Sequence, residues 1–157
     1  MTAPTARSLH AEKVTALAQR APLLVESGTT VAAAIQRMRA ARGEPALVVR
    51  DGRLEGIFTE RDVLLKVLGH DVASDAPVDA FMKPRPQTLT EDATLGDAAH
   101  LMDRGRFRHV PIVDPEGRPV LTLRQQDILA YIAEAFPEEI LNLPPRPHQR
   151  LEEPEGA

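Results

Sequence analysis

Cysteine and tryptophan are absent from this 157-residue chain, and aromatic residues make up only 3% of it. Without cysteine the chain can form no disulfide, no thiolate metal site and no cysteine nucleophile, and the lack of thiols favours a cytoplasmic protein. The scarcity of aromatic rings leaves few platforms on which exposed bases can stack, which argues against a single-stranded nucleic-acid binder. Aliphatic side chains must therefore build the core.

Long apolar segments and an excess of positive charge are also missing. No run approaches the roughly 20 apolar residues that span a bilayer, and the polar N-terminus lacks a signal-peptide core, so we expect no membrane partner. The formal net charge is −4, and the segment from Pro137 onward, with five glutamates and two arginines, accounts for −3 of it. The remaining body is nearly neutral without a Lys/Arg stripe, which argues against duplex DNA or RNA.

What the chain does contain is an internal duplication. The pattern of its first part returns 64 positions later: Val14, Pro22, Val25, Thr30, Val31, Ala34 and Met38 return as Val78, Pro86, Leu89, Thr94, Leu95, Ala98 and Met102 (for example, 86 minus 22). We place one inserted residue after these positions, which makes the offset 65, so that Leu47, Val48, Gly52, Arg53 and Asp62 return as Ile112, Val113, Gly117, Arg118 and Asp127. A duplicated unit of this length predicts two similar subdomains related by pseudo-twofold symmetry, each too small to bury an adequate core alone.

Each copy is predicted to fold as βαββα, which makes the chain an α+β protein. In the first copy a helix follows Thr30, an apolar strand runs through 46–49, Asp51-Gly52 forms a hairpin turn, and a second strand covers 54–58. A further helix should then bury a stripe made of Val63, Leu64, Val67 and Leu68.

The second copy shows the same order of signals. Its first helix begins with a capping box at Thr94 to Asp97, and its hairpin is 114–117. The last helix should present Ile128, Ile132, Ala135 and Phe136 and stop at Pro137. These patterns predict an arm over 1–13, repeats over 14–76 and 77–136 with a surface linker at about 72–77, and an extension over 137–157 that is flexible after about 144.

The junction between strand and helix in the first copy combines a glycine, a hydroxyl and a carboxylate. Its sequence is Gly56-Ile57-Phe58-Thr59-Glu60-Arg61-Asp62. A glycine lets a flat ligand approach the backbone, and a carboxylate one turn into the helix can accept two hydrogen bonds from a ribose diol. Thr59 and Asp62 are equally the Thr-x-x-Asp pattern of a capping device, so the motif alone leaves both interpretations open.

The stretch from about Val14 to Phe136 resembles a tandem pair of CBS domains, the arrangement called a Bateman module, and Arg108-His109-Val110-Pro111-Ile112-Val113-Asp114 resembles a second-repeat strand of that family. The resemblance implies a regulatory module without catalysis, which binds AMP, ADP, ATP or a related adenosine compound as a regulatory ligand between the repeats and requires no cofactor. It implies that Asp62 holds the ribose, that Thr59 assists, that Gly56 leaves room, and that Ile57 and Phe58 lie near the base.

The second junction departs from the family pattern. Asp127 stands at the ribose position, but Leu121 replaces the glycine and Arg124 replaces the hydroxyl. Arg124 either attracts a phosphate, or closes the site by pairing with Asp127 or reaching solvent. We therefore expect one competent site per chain. For phosphates, the resemblance favours Arg108 and His109.

Other cations near the predicted cleft are Lys83 and Arg85, and for all four the alternative is a solvated charge or a weak salt bridge. The five histidines lack metal-ligand spacing, and no Walker loop or nucleophile elbow is present.

We also expect a homodimer joined through helices and an effector protein of unknown identity. Ile140, Leu141 and Leu143 form either a clasp on a neighbouring subunit or a contact with their own chain. A second hypothesis for the whole chain is an oligomerisation scaffold whose nucleotide sites have decayed.

Overall fold

The structure is a computed structural model that describes residues 10–18 and 20–135. It has an α+β fold with two sheets. The first repeat contains three strands and two helices: β1 (Leu23–Glu26), α1 (Val31–Ala40), β2 (Ala46–Arg50), β3 (Arg53–Phe58) and α2, which begins as Glu60–Asp62 and continues as a π-helical turn, Val63–Val67.

The second repeat contains the same succession in the order β5 (Leu89–Thr90), α3 (Leu95–Gly105), β6 (His109–Val113), β7 (Pro119–Arg124) and α4 (Gln125–Ala135). A short 3-10 turn precedes each repeat, at Val14–Ala16 and at Val78–Ala80, and the two-residue strand β4 (Lys83–Pro84) lies between them. The predicted βαββα order is confirmed in both copies. Within residues 10–18 and 20–135, no helix has the length and apolar character needed to cross a membrane.

The two sheets have the same local topology. In the first sheet, of order β1-β2-β3-β4, β1 is parallel to β2, while β3 is antiparallel to both β2 and β4. In the second, β5 is parallel to β6 and β6 is antiparallel to β7. The predicted Asp51-Gly52 turn joins β2 to β3, and its two residues have φ of 50° and 79°, the left-handed conformation that a two-residue hairpin loop requires.

The sheet register corrects the position of the inserted residue. Ala46 pairs with Phe58 and Val110 pairs with Leu123, so β2 and β6 still differ by 64 positions, while β3 and β7 differ by 65. Leu47 and Val48 therefore correspond to Pro111 and Ile112, and the prediction of Ile112 and Val113 was wrong. The extra residue lies in the second hairpin, where Asp114 Oδ1 accepts hydrogen bonds from the backbone N–H groups of Glu116 and Arg118 and so closes a longer loop.

Each repeat packs helices against one face of its sheet, and each core contains residues of the other repeat. Val14, at the start of the chain, is fully buried in the core of the second repeat, and Val78 is fully buried in the core of the first. Backbone hydrogen bonds secure the exchange: Val14 N donates to Ala93 O at 2.9 Å, and Val78 N donates to Thr29 O at 2.8 Å. Neither repeat therefore has a complete core of its own.

The segment at 72–77, predicted as a surface linker, makes backbone hydrogen bonds to α1. The backbone N–H groups of Val31 and Ala32, in the first turn of α1, donate to Ala76 O at 2.8 Å and Ser74 O at 3.3 Å. These carbonyls satisfy helix N–H groups that have no partner within the helix, so the linker caps α1.

Two of the four residues predicted to form the buried stripe of α2 are exposed. Val63 and Val67 pack against the first core, but Leu64 and Leu68 are 62% and 57% exposed. In the short π-helical segment, Val63 and Val67 are the residues that face the core. Leu68 lies at the helix end, where the backbone is already extended. In α4, Ile128 is buried and Ile132 packs against the second core. Phe136, the extension over 137–157 with its Ile140, Leu141 and Leu143, and most of the arm over 1–13 lie outside the described residues, as does the side chain of Ala135.

The opposite faces of the two sheets are buried between the repeats. Leu47 and Ile57 on one sheet, and Pro111 and Thr122 on the other, are at most 7% exposed although none belongs to a helix-covered core. The backbone N–H of Leu54 crosses to Gly117 O at 3.0 Å. Thr122 occupies the position of Ile57, and its buried hydroxyl has no hydrogen-bond partner among the described residues.

We expect Thr122→Val to stabilise the protein by about 1 kcal/mol, because valine keeps the shape of threonine and removes a buried hydroxyl that costs about 1–3 kcal/mol when unsatisfied. Urea denaturation of both proteins measures the change. Thr90→Val, at an exposed position of β5, is the matched control and should change the free energy of unfolding little. A less stable Thr122→Val protein would show that the hydroxyl has a partner in solution.

Candidate ligand-binding site

The first strand-to-helix junction is built by a capping box. Thr59 ends the extended backbone of β3 and caps α2. Its backbone N–H donates to Asp62 Oδ2 at 2.9 Å, its hydroxyl lies 3.0 Å from the same oxygen, and Asp62 N donates to Thr59 Oγ1 at 3.3 Å. The capping interpretation of Thr59 and Asp62 is thus confirmed, and it leaves the second oxygen of the carboxylate for other partners.

That second oxygen of Asp62, Oδ1, pairs with the ammonium of Lys66 at 3.0 Å. The same ammonium donates to Phe81 O at 2.9 Å, in the segment that joins the two repeats. The Lys66 side chain is 43% exposed whereas that of Asp62 is 15% exposed. A ligand hydroxyl can therefore compete for Oδ1 by displacing a lysine that has solvent to move into. Lys66 was missed by the sequence analysis, although its i+4 spacing from Asp62 is readable.

Gly56 makes room for a side chain of the protein. A Cβ at this position would overlap Sδ and Cγ of Met82. Since side chains alternate along a strand, Gly56 and Phe58 share the face that packs on the first core, where Phe58 is fully buried. Gly56 thus accommodates Met82, while its predicted role toward a ligand stays a prediction, and the side chain of Phe58 is fully buried in the first core. Ile57 lies on the opposite face, beside Leu47, and is 7% exposed.

The second junction has the same backbone geometry and different side-chain partners. Arg124 N donates to Asp127 Oδ2 at 3.0 Å, as Thr59 N does to Asp62. In addition, Arg124 Nη2 donates to Asp127 Oδ1 at 2.8 Å, and Nε lies 3.3 Å from both carboxylate oxygens. Burial raises the pKa of Asp127, but these hydrogen bonds outweigh it and the net pKa is lowered. Hydrogen bonding to Asp127 raises the pKa of Arg124.

A carboxylate from the first repeat joins this ion pair. Glu44 Oε1 lies 3.5 Å from Arg124 Nη1 and 3.7 Å from Arg20 Nη1. The side chains of Glu44, Arg124 and Asp127 are only 13%, 20% and 17% exposed. The sequence analysis missed Glu44, because nothing in the local pattern indicates a partner on the other repeat.

The predicted phosphate-binding cations fall into two groups. Arg108 is exposed, and its carbonyl accepts from Gln125 N at 2.9 Å. The ammonium of Lys83 lies 4.6 Å from the centroid of the Phe107 ring, a cation–π contact, so β4 and the loop before β6 meet. Arg85 is exposed and donates its backbone N–H to Glu55 O at 2.8 Å.

His109 stands apart from these because it is largely buried beside Arg124 on the neighbouring strand. Burial lowers the pKa of His109 below its ordinary value of 6.5. The charge of Arg124 lowers this pKa as well, while the carboxylates of Glu44, Glu60 and Asp127 oppose the shift. At neutral pH the imidazole is therefore mostly uncharged, and it presents a neutral hydrogen-bonding group.

A cleft of about 400 Å³ lies between α1 and α2 and is lined by Ile35, Met38, Arg39, Arg42, Gly43, Glu60, Val63 and Leu64. It contains Glu60 of the motif but not Asp62. Among residues 10–18 and 20–135, no group of three or more His, Cys, Asp or Glu side chains is arranged to hold a metal ion.

Comparison with known proteins gives a consistent result. The family model of the CBS domain matches residues 14–69 and 78–134. A relative in Arabidopsis thaliana, the CBS domain-containing protein CBSCBSPB3, is 32% identical over 95 residues, which is 60% of this chain. The matched region spans only 17% of that relative, so this chain is similar to a small part of it.

Three solved structures share the fold. The CBS domain NE2398 has a TM-score of 0.70 and 28% identity, covering 76% of this chain and 97% of that one. CBSX2 in complex with AMP has a TM-score of 0.67 and 21% identity, covering 78% and 97%. The CBS domain pair of MJ0100, in complex with 5′-methylthioadenosine and S-adenosyl-L-methionine, has a TM-score of 0.67 and 21% identity, covering 76% and 98%.

The buried His109 should make the protein less stable in mild acid. Because its pKa is lowered in the folded state, the unfolded chain binds more protons below about pH 6.5, and the free energy of unfolding falls from there until the pH reaches the folded-state pKa. His109→Gln should flatten the profile in this window, measured by urea denaturation between about pH 7.5 and pH 5. Parallel profiles for His109→Gln and the parent would contradict the assignment.

Proposed function

Because this chain belongs to the CBS domain family, we propose that it is a non-enzymatic regulatory module that binds an adenosine-containing ligand at its first strand-to-helix junction. One observation carries the proposal. Asp62 keeps one carboxylate oxygen for a partner that can be displaced, whereas both oxygens of Asp127 are held by Arg124. The chain has one junction that can accept a ribose diol.

The ligand class is supported by proteins with the same fold. CBSX2 was solved with AMP, and the MJ0100 pair with 5′-methylthioadenosine and S-adenosyl-L-methionine. These ligands share adenosine and differ in everything attached to its 5′ carbon. Recognition of adenosine therefore has to come from groups that contact the ribose and the base. In this chain, Asp62 is the group suited to the ribose, since a carboxylate accepts both hydroxyls of the diol in charge-assisted hydrogen bonds.

The number of phosphates is limited by the charges near the junctions. Arg108 and Lys83 are exposed cations that can approach an anionic ligand. His109 has a lowered pKa and adds no full charge at neutral pH, and Glu44 and Glu60 add negative charge to the same region. We propose AMP or another adenosine compound of low charge as the preferred ligand over ATP.

Signalling is proposed to pass through a homodimer formed by α2 and α4. Leu64 and Leu129 occupy equivalent positions of these helices under the 65-residue offset, and both are 62% exposed. Leu65 and Leu68 add further exposed apolar surface on α2, at 61% and 57%. A ligand would act by binding two states of this dimer, or of its complex with an effector, with different affinities.

The competing proposal is a scaffold that dimerises without responding to nucleotides. The closed second junction and the exposed leucines favour it, because both are features of an assembly module that needs no ligand. It differs from the sensor in a single measurable property: the scaffold has no affinity for adenosine compounds.

Asp62→Ala should weaken ligand affinity by roughly 10- to 150-fold, the equivalent of about 1.5–3 kcal/mol for hydrogen bonds to a charged group. Isothermal titration calorimetry with AMP, ADP, ATP, 2′-deoxy-ATP and S-adenosylmethionine measures this, and 2′-deoxy-ATP should bind more weakly than ATP.

Asp97→Ala is the control for this substitution. Thr94 and Asp97 form a capping box with distances of 2.9, 3.0 and 3.2 Å at the start of α3, which belongs to neither junction. Asp97→Ala should therefore cost a helix cap and leave affinity unchanged. Equal affinity of Asp62→Ala and the parent would remove Asp62 from the site, and no binding by the parent would favour the scaffold.

Leu64→Glu combined with Leu129→Glu should convert the dimer to monomer, because two charges per chain would be buried at the interface without partners. Sedimentation velocity measures the molecular mass in solution. Leu24→Glu is the control, since Leu24 is 38% exposed on β1, outside the two helices. A dimer that survives the double substitution would place the interface elsewhere.

A further inference from the structure

Two of the differences between the junctions fall on the proposed ligand-binding motif: Leu121 stands in the place of Gly56, and Arg124 in the place of Thr59. Either one is a possible reason for a closed site. The two have different consequences, because a bulky residue on the strand would block the approach of a base, while an arginine at the helix start would occupy the ribose carboxylate. The packing around each residue separates these cases.

Leu121 is one of a pair of core positions at which the large and the small residue are interchanged between the two repeats. In the first repeat a large residue, Met82, fills the space that Gly56 leaves. The 64-residue offset places Ala18 at the position of Met82. Ala18 is 2% exposed in the second core, and Leu121 packs against that same core. Glycine with methionine in one repeat thus corresponds to leucine with alanine in the other. Leu121 fills core volume, and it is no obstacle on the ligand side.

Arg124 acts directly on the ligand-binding carboxylate. Its guanidinium reaches Asp127 Oδ1 at 2.8 Å, the oxygen whose counterpart in Asp62 is held by the more exposed Lys66. A ribose hydroxyl approaching Asp127 would have to break a charge-assisted hydrogen bond in which both partners are at most 20% exposed. The guanidinium therefore already satisfies the group that a ligand would use.

Arg124 is also held from the other side. Glu44 of the first repeat lies 3.5 Å from Nη1, and Arg20, at 3.7 Å, shares the same oxygen of Glu44. An arginine that moved away to admit a ligand would leave Asp127 without its ion-pair partner and Glu44 with only the more exposed Arg20, in a largely buried setting, which is costly. The cross-repeat contact keeps the guanidinium in place.

We propose that the second junction is a latent adenosine-binding site, closed by Arg124, which takes the position of a ligand at Asp127 and ties it to Glu44. This inference rests on the proposed function of the first junction. It assigns the closure to one side chain and predicts that the backbone of the junction is otherwise competent, since Arg124 N and Thr59 N make equivalent bonds to their carboxylates.

Arg124→Thr restores the residue type of the first junction and tests the proposal. Calorimetric titration with AMP should give one site per chain for the parent and two for Arg124→Thr. Arg118→Thr is the matched control, because Arg118 also pairs with a carboxylate, Asp114, at 2.9 Å, but lies on the hairpin. Both variants lose one positive charge, which by itself weakens the binding of an anion, so a gained site cannot arise from the change in net charge.

A second variant protects the test against misfolding. Arg124→Thr with Glu44→Gln also removes the carboxylate that loses Arg124 as a partner in the single variant, and it should also bind two AMP. Leu121→Gly should keep one site and lose stability, because it removes core volume. A gained site in Leu121→Gly, or one site in both Arg124→Thr variants when circular dichroism shows them folded, would overturn the proposal.

The outcomes also separate this proposal from the proposed function. If the parent binds no AMP and Arg124→Thr binds one, the closure by Arg124 stands and the first junction is not the site. If the parent binds two AMP, the second junction is open and the proposal fails while the sensor function survives. If no variant binds AMP, the proposal fails, and titration of the parent with the other adenosine compounds decides between the sensor and the scaffold.

Discussion

The exchange of the two 3-10 turns is the constraint on which the rest of the structure depends. Val14 completes the second core and Val78 completes the first, so each repeat contributes a fully buried valine to the other. Because a core that lacks such a residue contains a cavity, the two repeats gain stability together. The exchange also fixes their relative position, which brings Arg124 of one junction within 3.5 Å of Glu44 of the other repeat. The charge cluster between the junctions is a consequence of this packing.

The same hydrogen bond between a backbone N–H and an aspartate occurs at the start of three helices. Asp62, Asp97 and Asp127 each accept a hydrogen bond from the backbone N–H three residues before them, at 2.9, 2.9 and 3.0 Å. The bond stabilises the start of a helix wherever it occurs, so the carboxylate has a structural role that is independent of any ligand. What differs is the partner of the second oxygen, which is Lys66 for Asp62 and Arg124 for Asp127. The state of that oxygen distinguishes a helix cap from a binding site, and the Thr-x-x-Asp pattern does not report it.

Local features of the chain were predictable because their causes lie within a few residues. The turn at Asp51-Gly52 and the capping boxes at Thr59 and Thr94 follow from neighbouring side chains. The fold was predictable from the duplication and from the resemblance to a tandem pair of CBS domains. The roles of Gly56 and Arg124 were harder to predict, since they depend on Met82 and Glu44, which are distant in sequence. The inserted residue was misplaced for a related reason: apolar residues fill neighbouring positions of β2 and β6, so only the pairing of Ala46 with Phe58 and of Val110 with Leu123 fixes the register.

The first junction is joined to the rest of the molecule by Lys66. Its ammonium contacts both the free oxygen of Asp62 and the carbonyl of Phe81. Phe81 precedes Met82, which fills the space beside Gly56, and both lie in the segment that joins the repeats. A ligand that takes Oδ1 of Asp62 competes with the ammonium that also binds this segment. Since Lys66 lies on α2, between the exposed Leu65 and Leu68, the residues that would sense a ligand and those that would meet a partner belong to one short helix. In the proposed function, α2 is therefore the element through which ligand binding would alter the contact with a partner.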